Sequence, residues 1–497
     1  MIQRNFWRDN AALLGVVLIL VVLGVVGYTS MGQTAFVRTT LSGLTLGALF
    51  FMVAAGLTLI FGLMDVLNFA HGAMFMLGAY LGWQFFTNPT FLFGLAPLIL
   101  ALLAGLLLAS LFVWLFGKVE LPEAVQKSLP GLLGLAGILV VFFAARGLDI
   151  LDLAKTAMVA AMTAADPLAE ASPQEALSIF WLRTAGMFIA GALLAVATSR
   201  PGDKTRTVHP DQVRRALIGS AVMGVITILA TLYREAAPRA VLMWDANLRF
   251  FVALLVGALL GAGIGGAIEI TLIRPLYVRP IYQVIVTLGL AYVLREVIQL
   301  LWQPLAYQMS RPPLFSQPGK AENIFEWFRT SSVTVDVLGV TFPSYRLFII
   351  LLGVLMLVAL ALLMNYTRLG MVIRAGVQDR QMVEALGINV QRVFTLVFML
   401  GAGLAALGGI GAAPFIPVQP NMGDAFQLQA FIVVVIGGMG SYGGAAIGAL
   451  LLGLARAFGD YLALKYSLSP AIAEASTVII MAIVLLVRPA GLFGRKE

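Results

Sequence analysis

The chain has 497 residues, of which 60% are hydrophobic and only 11% charged, and its net charge is +8. Soluble globular domains carry about 25% charged residues, so this composition excludes a soluble fold with one buried helix. Its continuous apolar runs exclude a β-barrel, whose strands alternate. The lack of any cysteine removes disulfides, thiolate chemistry and cysteine-based metal sites, and His71 and His209 are the only histidines.

Apolar runs of about 18 residues or more mark helices that cross a bilayer. They recur at 12–30, 41–62, 70–87, 92–116, 131–145, 177–198 and 217–232. They continue at 247–273, 281–303, 345–364, 391–413, 425–437, 443–463 and 471–487. The first run follows Arg4 and Arg8 and is long enough to be a retained helix rather than a signal peptide. The runs 131–145 and 425–437 are short for a bilayer, which fits an interfacial helix and a half-helix respectively. The expected fold class is an all-α polytopic membrane protein with 12–14 transmembrane helices, two glycine-rich helix breaks and a cytoplasmic coupling helix.

Charge bias sets the orientation, because Lys and Arg favour cytoplasmic loops. The basic loops 199–216, 274–280 and 366–392 and the tail with Arg488, Arg495 and Lys496 all fall inside when crossings are counted from a cytoplasmic N-terminus. The acidic loop 146–176 falls outside. The connection 304–344 also falls outside, and Pro304, Pro312, Pro313 and Pro318 predict a loop with one short amphipathic helix near 321–329. It serves either as a plain connector or as a surface for an extracytoplasmic partner.

Two stretches interrupt apolar helices. In Gly56–Gly82 the interruption carries Asp65, Asn68 and His71; in Phe431–Ala455 it carries Gly437, Gly438, Gly440 and Ser441. Irregular backbone at membrane depth survives only where protein or a water-filled cavity covers it, and transporters build substrate sites from such broken helices. The competing reading is a pair of ordinary cytoplasmic turns. These residues are the candidate translocation path, with Arg295 and Glu296, which interrupt another apolar segment. Arg295 and Glu296 are adjacent and do not share a helix face, so Arg295 is expected to snorkel or to pair across helices. A lone histidine is poor metal chemistry, and His71 is expected to bond locally and cap a helix.

The stretch Tyr366–Arg392 is polar and basic between two apolar runs. From Arg374 to Leu386 it has helical periodicity, with Val377, Met382, Val383 and Leu386 as an apolar stripe and Gly387 as a stop. Such a helix either docks into a groove on a cytoplasmic partner or lies as a solvated linker on the membrane surface.

Several motifs together resemble the LivH-like permeases of branched-chain amino acid ABC importers. They are GLTLIFGLMDVLNFAHGAMFMLGAY, RPLY with VIVTLGLAYVLREV, RAGVQDRQMVEALGIN, VVVIGGMGSYGGAAIGALLLG and LLVRPAGLFG, in that order. The resemblance covers 40–117 and 247–494. It divides the chain into an N-terminal permease part (1–117), an insertion with extra membrane segments (118–246) and a C-terminal permease part (247–497). It implies a permease subunit in a bacterial inner membrane, without cofactor or nucleic-acid partner. It also implies separate ABC ATPase subunits docking on Arg374, Asp379, Arg380, Glu384, Ala385 and Gly387. A second permease chain, LivM-like or a copy of this one, and a periplasmic solute-binding protein complete the implied assembly. The cargo is a branched-chain amino acid or a related amide, urea or small carboxylate. The chain has no phosphate-binding G-x-x-x-x-G-K-[ST] loop, so any nucleotide chemistry belongs to another subunit. The alternative, an ion-coupled secondary transporter, needs embedded carboxylates, for which Asp65, Glu269 and Glu296 are the few candidates.

Overall fold

The computed structural model describes residues 21, 24–25, 27–64, 66–116, 122–163, 176–199, 208–277, 279–378, 380–469, 471–488 and 491–493. Most of the first predicted segment, 12–30, and parts of the loops 146–176 and 199–216 lie outside these residues, as do Asp65 and Asp379. In chain order the helices begin with α1 (Gln33–Met64), α2 (His71–Thr87), α3 (Thr90–Leu106), α4 (Ala109–Phe116), α5 (Glu123–Ala145), α6 (Ile150–Thr163), α7 (Leu177–Ser199), α8 (Pro210–Leu232) and α9 (Ala236–Leu242). They continue with α10 (Ala246–Ile268), α11 (Pro280–Trp302), α12 (Ile324–Thr330), α13 (Ser344–Tyr366), α14 (Arg368–Gln378), α15 (Arg380–Ala385), α16 (Val390–Ala412), α17 (Met422–Gly437), α18 (Tyr442–Lys465) and α19 (Ala471–Val487). Among the described residues ten helices are long and apolar enough to cross a membrane, and α17 and α19 are shorter apolar helices.

Contacts divide the chain into two units. The larger comprises Met1–Trp83 and Asp245–Glu497, the smaller Gln84–Trp244. In the larger unit α1 is the hub. It is apolar on all sides, and a helix of that kind is buried all round: the membrane-length window of α1 is 78% buried, against 11% for α11. Helices α13, α16, α17 and α18 surround α1, and α10 lies along α16. Small residues permit this closeness. A Cβ added at Gly409 on α16 would stand 1.9 Å from the Phe75 carbonyl oxygen on α2.

The smaller unit has its own core, built around Leu98, Ala101, Ala144, Phe180 and Met187. Within it, α5 runs 23 residues with Pro130 inside, so the segment anticipated as a short interfacial helix is long enough to span. A proline inside a transmembrane helix is tolerated where neighbours satisfy the freed backbone. The predicted segment 92–116 is two helices, α3 and α4.

The connection 304–344 contains more order than its prolines predict. Helix α12 is close to the expected position, but three strands accompany it: β1 (Gln317–Ala321), β2 (Ser332–Val337) and β3 (Val340–Pro343). β1 and β2 pair in parallel across α12, and β2 and β3 pair antiparallel with Val337 opposite Val340. Leu338 and Gly339, at φ of 55° and 78°, form the two-residue turn that suits a twisted hairpin. The alternation of Val333, Val335 and Val337 is the signal that the proline-based reading passed over.

Lys320 on β1 meets Asp336 on β2 at 2.6 Å and holds the Asp336 carboxyl below its ordinary value of about 3.9. The pair's contribution is therefore complete at neutral pH and is lost only as pH falls below that ordinary value, through the depressed one. At the surface such a pair contributes little. Asp336→Asn is accordingly expected to leave thermal unfolding at pH 7 almost unmoved and to remove only a small acid-side slope.

Candidate functional site

The chain leaves α1 at Met64 and starts α2 at His71, yet His71 sits well back along α1. Its Nε2 lies 3.0 Å from the Val53 carbonyl. Val53 precedes Met64 by three helical turns, so the non-helical segment 66–70 climbs about 15 Å back alongside α1. This backbone needs partners, because no water is available in a bilayer core. Asn68 Oδ1 accepts from the Ala70 amide at 3.0 Å and the Asn68 carbonyl accepts from the His71 amide at 3.3 Å. Distant helices supply the rest. Thr287 Oγ1 on α11 accepts from the Phe69 amide at 3.2 Å. On α17, Gln427 Oε1 accepts from the Gly72 amide, and its Nε2 donates to the Asn68 carbonyl at 3.3 Å. Phe69 stacks on Phe431 of α17 at 4.9 Å.

The site is therefore a re-entrant segment, 66–72, held between α1, α11 and α17. Asn68 caps the start of α2; His71 reaches across to another helix instead of capping. Buried polar side chains around this segment include Asn68, His71 and Thr287. Thr287 and Gln427 were missed by the sequence reading. Their signal was a neutral polar residue inside an apolar helix, whereas attention went to the two helix breaks and to the charged pair Arg295 and Glu296.

About two turns beyond Thr287 on α11, Arg295 pairs with Asp424 on α17, one turn from Gln427, at 2.9 Å and lies 4.7 Å from the Tyr292 ring centre. Its Nε is 3.7 Å from Glu296, so the long guanidinium bends to its neighbour despite their different helix faces. Arg295 thus pairs across helices, near the re-entrant segment, while Glu296 is largely exposed.

The second break lies elsewhere. Gly438 and Gly440 adopt φ of 91° and 82° between α17 and α18, a backbone that disfavours any side chain. Ser441 Oγ caps α18 by accepting from the Gly444 amide at 3.1 Å. The turn fits against the end of α1, where a Cβ on Gly62 would fall 2.7 Å from Gly440 Cα. The amides of Leu492 and Phe493 donate to the Ile436 and Gly437 carbonyls at 2.8 and 3.1 Å, which satisfies the end of α17 and gives the closing motif a structural role. Gly437 is ten residues beyond Gln427 on α17, about 15 Å along the axis. The structure therefore does not bring Gly437, Gly438, Gly440 and Ser441 to Asn68 and His71.

The polar stretch between α13 and α16 forms two short helices, α14 and α15. Thr367 caps α14 by accepting from the Gly370 amide at 3.1 Å. Arg374 turns inward: Nη1 donates to the Met364 carbonyl at the end of α13 and lies 3.4 Å from Asn365 Oδ1. A cation on the last carbonyls of a helix is well placed, so Arg374 braces the elbow between α13 and α14. The expected apolar stripe splits. Val383 is buried, while Met382 is 59% and Leu386 72% exposed, with Glu384 and Ala385 exposed beside them. Gly387 ends the element at φ 79°. Asp379 and the side chains of Val377 and Arg380 lie outside the described residues.

This architecture defines a class: a multi-pass helical membrane protein with a re-entrant polar segment in its core and a short amphipathic helix pair between two spans. Residues 215–488 match the family described as the permease component of branched-chain amino acid transport systems, and the chain belongs to that family. It is 38% identical over 145 residues to the high-affinity branched-chain amino acid permease protein LivH of Escherichia coli K12, covering 29% of this chain and 45% of LivH. It is 34% identical over 161 residues to BraD of Pseudomonas aeruginosa, covering 32% of this chain and 50% of BraD. The ribose import permease protein RbsC of Escherichia coli K12 is 34% identical over 144 residues, or 27% of this chain and 42% of RbsC. The chain spans about half the length of the curated relatives it matches. No solved structure matches it.

Proposed function

We propose that this chain is the transmembrane permease subunit of an ATP-driven importer. It moves branched-chain amino acids, or a related small polar solute, across a bacterial inner membrane by alternating access. Separate ATPase subunits dock on α14 and α15 from the cytoplasm, where both chain termini also lie. A second permease chain and a periplasmic solute-binding protein complete the assembly. The observation that carries this reading is the helix pair itself. It is braced to α13 through Arg374 and joined to α16 at Gly387, and it presents Met382, Glu384, Ala385 and Leu386 outward. Family membership supports the cargo class. Neutral hydrogen-bonding groups at 66–72 and on α11 and α17 suit a polar solute with no net charge.

An ion-coupled mechanism finds little support among the candidate carboxylates. Glu269 is saturated by protein donors, Glu296 is largely exposed beside Arg295, and Asp65 lies outside the described residues.

Purifying the tagged chain in mild detergent is expected to bring down an ATPase, detected as nucleotide hydrolysis in the eluate. Glu384→Lys reverses a charge on the outward face, and Gly387→Pro destroys a left-handed turn that proline cannot adopt. Each is expected to abolish solute uptake while the chain stays in the membrane at parental level. Parental uptake by either variant would refute docking at this element.

A further inference from the structure

Glu269 is the only buried carboxylate among the described residues, at 0% exposure. A buried charge is expensive unless it is paired and hydrogen-bonded, and here every donor comes from protein. Arg274 binds it bidentately, Nη2 to Oε2 at 2.9 Å and Nε to Oε1 at 3.2 Å. The Tyr277 hydroxyl donates to Oε1 and the Thr395 hydroxyl lies 2.7 Å from Oε2. Three elements meet in this cluster. Glu269 ends α10 where the helix widens into a π turn, Glu269–Ile273, and then tightens over Arg274–Leu276. Pro275 imposes the change, because it has no amide to donate to the preceding turn. Such π turns recur at functional positions. Thr395 stands on α16, whose cap, Asn389, follows Gly387 by two residues.

The Thr395 hydroxyl has a single proton and two acceptors, Glu269 Oε2 at 2.7 Å and the Gln391 carbonyl of its own helix at 3.0 Å. It also accepts from Arg274 Nη2 at 2.6 Å. From one place the hydroxyl can thus direct its proton either to the carboxylate, joining α16 to it, or to its own helix. The far side of the cluster leads back to the re-entrant segment. The Tyr277 ring stands edge-on to Phe394 at 5.4 Å, and Gln283 on α11 donates to the Leu276 carbonyl at 2.8 Å. One turn along α11 is Thr287, which accepts from the Phe69 amide.

We infer that the Glu269–Arg274–Tyr277–Thr395 cluster carries displacement of the docking helices, through α16, into α10 and α11 and so to the segment 66–72. This rests on the proposal that an ATPase docks on α14 and α15. These are positioning residues, which act through the elements they join. They tie α16, which follows the cytoplasmic loop, to the end of α10, and the Leu276 carbonyl ties that end to Gln283 on α11, one turn from Thr287.

The chain lacks cysteine, so Ile281→Cys, at a position 76% exposed on α11, accepts a single environment-sensitive fluorophore. In the complex isolated through the tagged chain, ATP with magnesium is expected to shift this fluorescence. Thr395→Val keeps the shape and removes the hydroxyl. It is expected to shrink the shift severalfold, with ATPase capture unchanged and thermal unfolding lowered only by the loss of one hydrogen bond to the carboxylate, and Thr395→Ser is expected to restore both. Tyr277→Phe is expected to weaken the shift in the same way and serves should Thr395→Val misfold. A full parental shift in both Thr395→Val and Tyr277→Phe, or no shift in a parental complex that retains its ATPase, overturns the inference. Failure of the parental chain to bring down any ATPase instead overturns the docking proposal, and this inference with it.

Discussion

Glu269→Ala is expected to destabilise the chain by about 3 kcal/mol, the lower end for breaking a buried ion pair. The carboxylate is fully buried and receives the Arg274 guanidinium and two hydroxyls; its removal leaves Arg274 unpaired and Tyr277 and Thr395 without their acceptor. The side chain of Arg274 is 31% exposed, so some of the guanidinium recovers water, which is why the lower end applies. Thermal unfolding in detergent at neutral pH measures the loss. Glu269→Gln keeps the volume and one acceptor and is expected to lose less. Removing both ends, as in Glu269→Ala with Arg274→Ala, is expected to recover part of the loss, because the isolated charge is worse than no pair at all. A Glu269→Ala chain that melts with the parent would show that the cluster adds nothing to stability.

The second large effect belongs to Gly409→Ala. The added methyl carbon would sit 1.9 Å from the Phe75 carbonyl oxygen, an impossible contact with backbone that no rotamer relieves. Helices α2 and α16 must move apart, at a cost of about 3 kcal/mol or more. Phe75 is one turn from His71, so the same displacement disturbs the re-entrant segment and uptake is expected to fall with stability. Gly263→Ala on α10 is the control. Nothing lies within 4 Å of its added carbon, and removing an interior glycine is expected to be neutral or to stabilise by about 0.5–1 kcal/mol. Equal melting temperatures for the two variants would refute the close crossing of α2 and α16.

Much of the membrane architecture was legible in the chain itself. An apolar run of bilayer length is a local property, so the helices appear near their predicted places, and the polar loop between α13 and α16 announces itself by its charges and by Gly387 at its end. Local reading fails where a residue has two uses. Arg374 looks like a docking charge and is spent on the end of α13; the valines at 333–337 look like loop between prolines and form a strand. The glycines at 437–440 look like half of a shared substrate site and instead make a tight turn against Gly62.

Composition and periodicity by themselves determined the class, the spans and the polar inlet between α13 and α16, because hydrophobic length and helix punctuation act within a few turns. Only the tertiary structure decided the partners. Gln427 reaches Asn68 across 359 residues of sequence, and Thr395 reaches Glu269 across 126. A buried amide or carboxylate must be satisfied by whichever donors packing brings beside it, and that neighbour is set by how the helices cross around α1, which no window of sequence contains.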